Sequence, residues 1–474
     1  MGMLLQNTMK VTLSQKPRSG ALKAIFVDQG FFSKKGKKTA HLKKEFLSNL
    51  FLPSKDTLLV CIEDKEHPAD IERMRRACAV AIRKAQQHEY QRVHIDISSL
   101  DNECEVDDVL QALAESAILT AYRFEKKSKQ EKKGIMECTI GIPATSKRNV
   151  LLRAAATIAQ NTCFVRDLVN ESTYNKTPEK FVSIARKLAG KKMDVKVLQG
   201  KQLDKFGLLS AVGQGSAHAP KMLLLEYKGT KGRPTALVGK GVVFDSGGLN
   251  LKPTRYIESM RMDMAGAATV LGIMKTIREL SIKRHVIAVL PIVENMIGPK
   301  SFKPGDVYTA YDGTTVEIGN TDAEGRLILA DALSYVRKQY EPEQIIDFAT
   351  LTGACLVAFG EYVAGIMGNN IELEQALIKS GKRTYELLSS MPLLEEYEEE
   401  MKGEVADLCN VGYKNGMFAG TITAAAFLKQ FVGDTPWEHI DIAGTAWWEK
   451  ERHYRPKNAT GFGVRLIMDW VMQQ

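Results

Sequence analysis

Strand-like apolar runs alternate with helix-like stretches along most of this chain, and that alternation limits the folds open to it. In the first 150 residues LLVCIED (58–64), RVHIDIS (92–98) and MECTIGIP (136–143) read as β-rich runs. Between them, residues 71–87 and 106–124 carry helical periodicity. After residue 170 the pattern resumes, with VKVLQG, KMLLLEY, TALVGKGVVF, HVIAVLPIV, IIDFATL and HIDIAGTAW as candidate buried strands. Helix candidates at 266–280, 326–339, 374–388, 420–432 and 461–473 lie between them. The reading is α/β throughout: a small N-terminal α/β domain over 1–150, a connecting helix over 151–170, and a larger C-terminal α/β domain over 171–474. The larger domain is expected to have a mostly parallel central sheet flanked by helices. In such sheets, ligands bind outside the carboxyl ends of the strands.

Composition narrows the class further. There is no run of 18 apolar residues, so a membrane-spanning helix is not expected. The N-terminus lacks the apolar core of a secretory signal. Seven scattered cysteines form no CxxC pair, which fits reduced thiols and a cytoplasmic location. The formal net charge of +9 is unevenly placed. Residues 1–60 hold 11 basic and 3 acidic side chains, centred on Lys34, Lys35, Lys37, Lys38, Lys43 and Lys44. That end could be a solvated surface, a subunit contact or a nucleic-acid-binding patch. The charge run EKKSKQEKKG (125–134) reads as an exposed loop.

Chemistry concentrates in three segments: GKGVVFDSGGLNLKP (239–253), MRMDMAGAA (260–268) and GNTDAEGRLILADAL (319–333). Lys240 and Asp245 flank the apolar VVF. Asp263 precedes a small-residue helix start. Asp322 and Glu324 sit in one turn bounded by Gly319 and Gly325. Helix capping could account for Asp263 and Asp322 singly. It does not account for Asp245 at an apolar strand end, nor for two acids in one glycine-flanked turn. A metal site with hard oxygen ligands, suited to Mg²⁺, Mn²⁺ or Zn²⁺, is the alternative. HExxH is absent, and no histidine lies in these segments. Four carboxylates overcompensate one divalent ion, whereas two ions about 3.5–4 Å apart balance them better.

NTDAEGRL (320–327) resembles the signature octapeptide of the leucyl aminopeptidases, the cytosol aminopeptidase family of two-metal exopeptidases. RDLVN (166–170), VGKGVVFDSGGLNLKP, MRMDMAGAA, ATLTGAC (349–355), AGTITAAAFL (419–428), HIDIAGTAW and ATGFGVRL (459–466) resemble family segments in the family's order. The resemblance covers roughly residues 165–474. Residues 1–150 resemble the family only as a variable α/β domain of the expected size.

Carried over by position, the resemblance implies two divalent ions, zinc or manganese. Asp245 and Glu324 would touch both, Lys240 and Asp263 would complete one site, and Asp322 the other. Lys240 can coordinate only as the neutral amine; otherwise it is a salt-bridge partner of the acids. Lys252 would stabilise the tetrahedral intermediate, or be a surface lysine. Arg326 would hold a bicarbonate ion acting as proton shuttle, or be a helix-start arginine. Met260, Thr350 and Gly353 would line the pocket for an N-terminal leucine or other apolar residue, with Met260 equally readable as core. Peptide substrates, a homohexamer and no membrane partner follow from the same resemblance.

Two other activities bear on this chain. DSGG (245–248) resembles the nucleophile loop of trypsin-like serine endopeptidases, but Phe244 stands where that loop has glycine. A DNA-binding role through the basic N-terminal residues would add to a peptidase activity without replacing it.

Overall fold

The computed structural model describes residues 9–28, 47–62, 70–100, 104–124, 134–412 and 418–474. The six lysines between Lys34 and Lys44 that carry the nucleic-acid reading lie outside the described residues, as does nearly all of the charge run from residue 125. Two compact units are present: the residues up to 163 with 449–457, and 164–448 with 458–474.

The first unit is a six-stranded sheet of β1 (Lys10–Leu13), β2 (Leu22–Val27), β3 (Asn49–Leu52), β4 (Thr57–Cys61), β5 (Arg92–Asp96) and β6 (Glu137–Ile140). Their order is β1-β6-β5-β2-β4-β3, and only the β3–β4 pair is antiparallel. Helix α1 (Ile71–Gln87) starts where the Asp70 carboxylate accepts the Arg73 N–H at 2.7 Å. With α2 (Val106–Ala121) it covers apolar side chains such as Phe26, Val60, Ile82 and Leu113. Tyr454, from the returning segment 449–457, is buried in this core and donates its hydroxyl to Glu72 at 3.0 Å. That return has no signal in the sequence, because the segment contains no apolar run.

Helix α3 (Ser146–Asn170) is 25 residues long and crosses the division between the units. It starts a few residues earlier than the sequence pattern indicates, after the Thr145 hydroxyl accepts the Arg148 N–H at 3.2 Å.

The second unit holds a nine-stranded sheet. Its strands are β7 (Met193–Leu198), β8 (Lys221–Lys228), β9 (Thr235–Gly239), β10 (Gly241–Asp245), β11 (His285–Asn295), β14 (Gln344–Ala349), β15 (Val363–Gly368), β16 (Leu387–Ser390) and β18 (Trp437–Asp441). The order is β16-β15-β18-β14-β9-β11-β8-β7, with β10 also paired to β11. The centre, β18-β14-β9-β11, is parallel, while β8 is antiparallel to β11, β7 to β8 and β15 to β18. A separate three-stranded sheet joins β12 (Val307–Thr309), β13 (Thr315–Glu317) and β17 (Leu408–Cys409).

Two departures from the sequence pattern have local causes. TALVGKGVVF is not one strand: it breaks at Lys240 into β9 and β10, because the partner β11 changes hands. Residues 286–289 of β11 pair with β9, and residues from 292 pair with β10. Pro291, which has no N–H to give, falls at that changeover. The helix expected to reach residue 388 ends at Thr384, where Tyr385 adopts a left-handed φ of 57°. The next residues become edge strand β16.

The helices that matter for the site are α4 (Ala265–Glu279), α5 (Glu324–Tyr340) and α6 (Gly353–Phe359). The α5 side chains Leu327, Ile328, Leu329, Leu333 and Val336 are fully buried. At about 1.5–3 kcal/mol per large apolar side chain, that burial anchors the helix start carrying Glu324. No helix among the described residues is long and apolar enough to cross a membrane.

Candidate metal centre

The parallel strands β9, β11 and β14 end on the same edge of the sheet, and the acids of the three sequence segments meet there. Lys240 occupies the break between β9 and β10. Its N–H donates to the Phe348 carbonyl at 3.0 Å and its carbonyl accepts from the Ala267 N–H at 2.8 Å. This backbone grip sends the side chain into the centre. Its Nζ lies 2.9 Å from Asp263 Oδ2 and 2.9 Å from Glu324 Oε1, and donates to the Thr350 carbonyl at 2.9 Å. Burial works against the ammonium, but Asp263, Glu324 and Asp245 together outweigh it and hold the Lys240 pKa above its ordinary value.

Asp245 is the last residue of β10. Its Oδ1 accepts from the Gly247 N–H and from Asn295 Nδ2, both at 2.8 Å. Gly247 and Gly248 have φ of 86° and 63°, which side chains with a Cβ rarely adopt. The turn they make folds the chain back, so that the Lys252 N–H reaches the Ser246 carbonyl at 3.0 Å. Lys252 Nζ then stands 2.8 Å from Asp245 Oδ2 and 2.5 Å from Asp322 Oδ1. Ser246 is part of this turn: its hydroxyl donates to the Asn295 carbonyl at 2.8 Å and accepts from the Gly248 N–H at 3.1 Å. It is engaged in holding backbone, which removes the motif's resemblance to a serine nucleophile.

Asp263 closes the short turn Met260–Met262. Its Oδ1 accepts from Thr350 Oγ1 at 2.7 Å. Asp322 lies in an Asx turn in which its N–H donates to Asn320 Oδ1 at 2.7 Å. Glu324 is the first residue of α5, at the positive end of the helix dipole. Ligand oxygens of Asp245, Asp322 and Glu324 lie within 4.8 Å of one another.

The electrostatics of the four acids are strained. Burial raises Asp245, and Glu324 raises it further. Burial also raises Asp263 well above the carboxylate range, with Lys240 opposing. Asp322 is pushed to about 7, by burial and then by Asp245 and Glu324. Only Glu324 is lowered, because Lys240 and Lys252 overcome its burial. If all four carboxylates were ionised, the two ammonium groups would leave a formal excess of two negative charges, and the raised pKa values of Asp245, Asp263 and Asp322 are the metal-free centre's response to that excess. Among the described residues, Asp263 Oδ2, Asp322 Oδ1 and Glu324 Oε1 have no partner beyond a lysine ammonium. Hard oxygen donors that are underused and too negative fit divalent cations.

The remaining expected site residues are placed as follows. Arg326 is buried in the first turn of α5 and donates from Nη1 to the Asn410 carbonyl at 2.9 Å. Its Nε has no partner among the described residues. Burial lowers the guanidinium pKa to about 10. Met260 is half-buried at the start of the turn that ends on Asp263. Thr350 contacts both Lys240 and Asp263, so it stands beside two of the candidate metal ligands. Gly353 opens α6, is exposed, and has open space where a Cβ would stand. Residues not foreseen also shape the site. Asn295 at the end of β11 clamps Asp245 and donates to the Thr321 carbonyl at 3.0 Å. Thr321 and Asn250 bond reciprocally across the two loops. Asn250 and Thr321 lie inside the motifs but carry no ligand chemistry, and Asn295 is a single polar residue at a strand end between the motifs, so none of the three leaves a pattern in the sequence.

Residues 163–468 match the catalytic domain of the cytosol aminopeptidase family, and residues 17–130 match that family's N-terminal domain. A probable cytosol aminopeptidase of Syntrophotalea carbinolica is 40% identical over 467 residues, covering 96% of this chain and 92% of that one. One from a Geobacter species is 42% identical over 437 residues, covering 89% and 87%. Among solved structures, the bottromycin maturation enzyme BotP in complex with Mn superposes with a TM-score of 0.87 at 30% identity, covering 96% and 99%. A tomato leucine aminopeptidase mutant gives 0.87 at 31% identity, covering 99% and 97%. With acids and lysines converging at the sheet edge and both domains matched, the chain belongs to the cytosol aminopeptidase family, a family of aminopeptidase hydrolases.

Proposed function

We propose that this protein removes N-terminal residues, leucine and other apolar ones foremost, from peptides in the cytoplasm, using two divalent metal ions. The observation that carries the reading is the convergence of Asp245, Asp263, Asp322 and Glu324 on two lysines, so close that burial and mutual repulsion raise the pKa of three of the four acids. Asp245 and Glu324 would face both ions, Asp263 and Lys240 would complete one site, and Asp322 the other. Bound there, the pair would supply a water acidic enough to attack a peptide carbonyl near neutral pH. Manganese is one choice of ion, since the similar BotP structure is described with Mn; zinc is the other.

The chain's own groups set the rest. With the carboxylate charge taken up by cations, Lys240 would lose what holds its proton. Burial would then favour the neutral amine. Lys252 keeps a positive charge at the rim of the acids, where an oxyanion would develop. The unpartnered Nε of Arg326 leaves one edge of its guanidinium open to a small anion such as bicarbonate. Met260 would border the side-chain pocket, with Gly353 leaving room beside it. A homohexamer is the proposed assembly.

Exhaustive chelation should abolish hydrolysis of a leucyl anilide, and Mn²⁺ or Zn²⁺ should restore it. Glu324→Ala should lose metal and activity together. Full activity in the chelated protein would overturn the reading.

A further inference from the structure

We infer that Asn410 is the positioning residue that holds Asp322, Glu324 and Arg326 in a single arrangement, an inference that rests on the proposed two-metal reading. Its backbone is fixed independently of the metal loop. Strand β17 runs parallel to β13, pairing Leu408 with Val316 and Cys409 with Glu317. The Asn410 N–H continues this ladder to the Glu317 carbonyl at 3.0 Å. Behind it, the Asp407 carboxylate accepts from Thr315 N–H at 2.8 Å and from its hydroxyl at 2.6 Å.

From that platform the fully buried Asn410 side chain reads the loop 319–323. Its Oδ1 accepts from the Gly319 N–H at 2.8 Å and the Asn320 N–H at 3.2 Å. Its Nδ2 donates to the Asn320 carbonyl at 2.7 Å and the Ala323 carbonyl at 3.4 Å. Two donors and two acceptor sites are the whole capacity of a carboxamide, and here all four go to one loop. The orientation of the amide is set by the loop itself, which offers N–H groups on one side and carbonyls on the other. The Asn410 carbonyl meanwhile accepts from Arg326 Nη1 at 2.9 Å. Since Arg326 Nε has no partner among the described residues, this bond directs the guanidinium. One residue thus grips both ends of the stretch 319–326, and the acids Asp322 and Glu324 lie between its contacts. No other residue type offers two donors and two acceptors on so short a stem.

The test uses the full chain, made metal-free and titrated with Mn²⁺ by calorimetry. Melting curves accompany it, with kcat and KM on a leucyl anilide per folded, metal-loaded site. Asn410→Ala should weaken Mn²⁺ binding about tenfold or more, since ligands held out of place lose affinity on that scale. Turnover at saturating metal should fall about tenfold or more with KM changed less than about threefold, the signature of an interaction used in the transition state. Asn410→Ser, which keeps one donor and one acceptor, should fall between, and it carries the same test if the alanine variant does not fold. Asp407→Ala loosens the same small sheet without touching the loop. It should lower the melting temperature while leaving Mn²⁺ affinity and turnover within about twofold of the parent. Parent-like affinity and turnover in the Asn410 variants would overturn the inference. So would equal losses in Asp407→Ala. If the parent proves inert on every amino-terminal substrate, the proposed function falls, and the Mn²⁺ affinities alone then decide the role of Asn410.

Discussion

Gly325→Ala tests the placement of Lys240 beside Glu324. Gly325 is the second residue of α5 and follows the proposed ligand Glu324 directly. A Cβ at this position would lie 2.6 Å from Cε, 2.7 Å from Nζ and 2.8 Å from Cδ of Lys240. Its three nearest neighbours are therefore all atoms of one side chain. Comfortable carbon contacts need about 3.5–4.0 Å, so Lys240 must retreat by roughly 1 Å. Its three contacts, to Asp263, Glu324 and the Thr350 carbonyl, each stand at 2.9 Å and cannot survive such a move together. The helix itself gains: alanine over glycine is worth about 0.5–1 kcal/mol in a helix interior, less near its start. Against that gain stands a buried ammonium that loses its partners, which costs up to about 3–5 kcal/mol, so the melting temperature should fall while the transition stays cooperative. A misplacement of about 1 Å at a reacting centre costs on the order of a hundredfold in rate. Turnover of a leucyl anilide should fall by about that factor, with metal content reduced. Activity near the parent level would refute the placement of Lys240.

Other substitutions probe single contacts. Thr350→Val removes the donor to Asp263 Oδ1 while keeping the shape. A hydrogen bond to a charged group is worth about 1.5–3 kcal/mol, so Mn²⁺ affinity should fall about tenfold or more. A change confined to side-chain preference would instead assign Thr350 to the pocket alone. Lys252→Ala should cut turnover about a hundredfold or more while leaving most of the metal bound, as for lost oxyanion stabilisation. Loss of metal would show that its ion pairs with Asp245 and Asp322 are structural. In the first unit, burial and the arginines Arg76, Arg452, Arg83 and Arg455 lower the His453 pKa to about 4 from its ordinary 6.5. A depressed histidine binds fewer protons folded than unfolded, so its contribution is complete above pH 6.5 and is lost as the pH falls toward 4. His453→Asn, which tolerates the left-handed φ of 53° there, should flatten the acid limb of a melting-temperature profile between those values. An unchanged profile would remove His453 from that role.

Much of this architecture is legible residue by residue. β11 reads as a buried strand because HVIAVLPIVEN is apolar almost throughout, and it is buried along nearly its whole length. Helix α5 reads from its period, with Glu324 at its start. The acids Asp245, Asp263, Asp322 and Glu324 are nameable as a set because each stands where a strand ends or a helix begins. The break of TALVGKGVVF at Lys240 is not legible, since both halves are equally apolar and the cause is a change of partner along β11. Thr350 is another instance. Its segment marks it as near the site, but only the 2.7 Å contact with Asp263 tells which group it serves.

Sequence by itself determines the alternating α/β class, the four acids and two lysines of the centre, and their order along the chain. These depend on local properties: apolar period, turn-forming glycines and the residue types at element ends. Tertiary structure alone decides which oxygen meets which ammonium, how far the acids overload their surroundings, and which remote amides hold the loops. Asn295 reaches Asp245 across 50 residues, and Asn410 reaches the Asp322 loop across about 90. A contact between distant single residues is set by strand order and register. Those properties emerge only when the whole sheet has closed around its core.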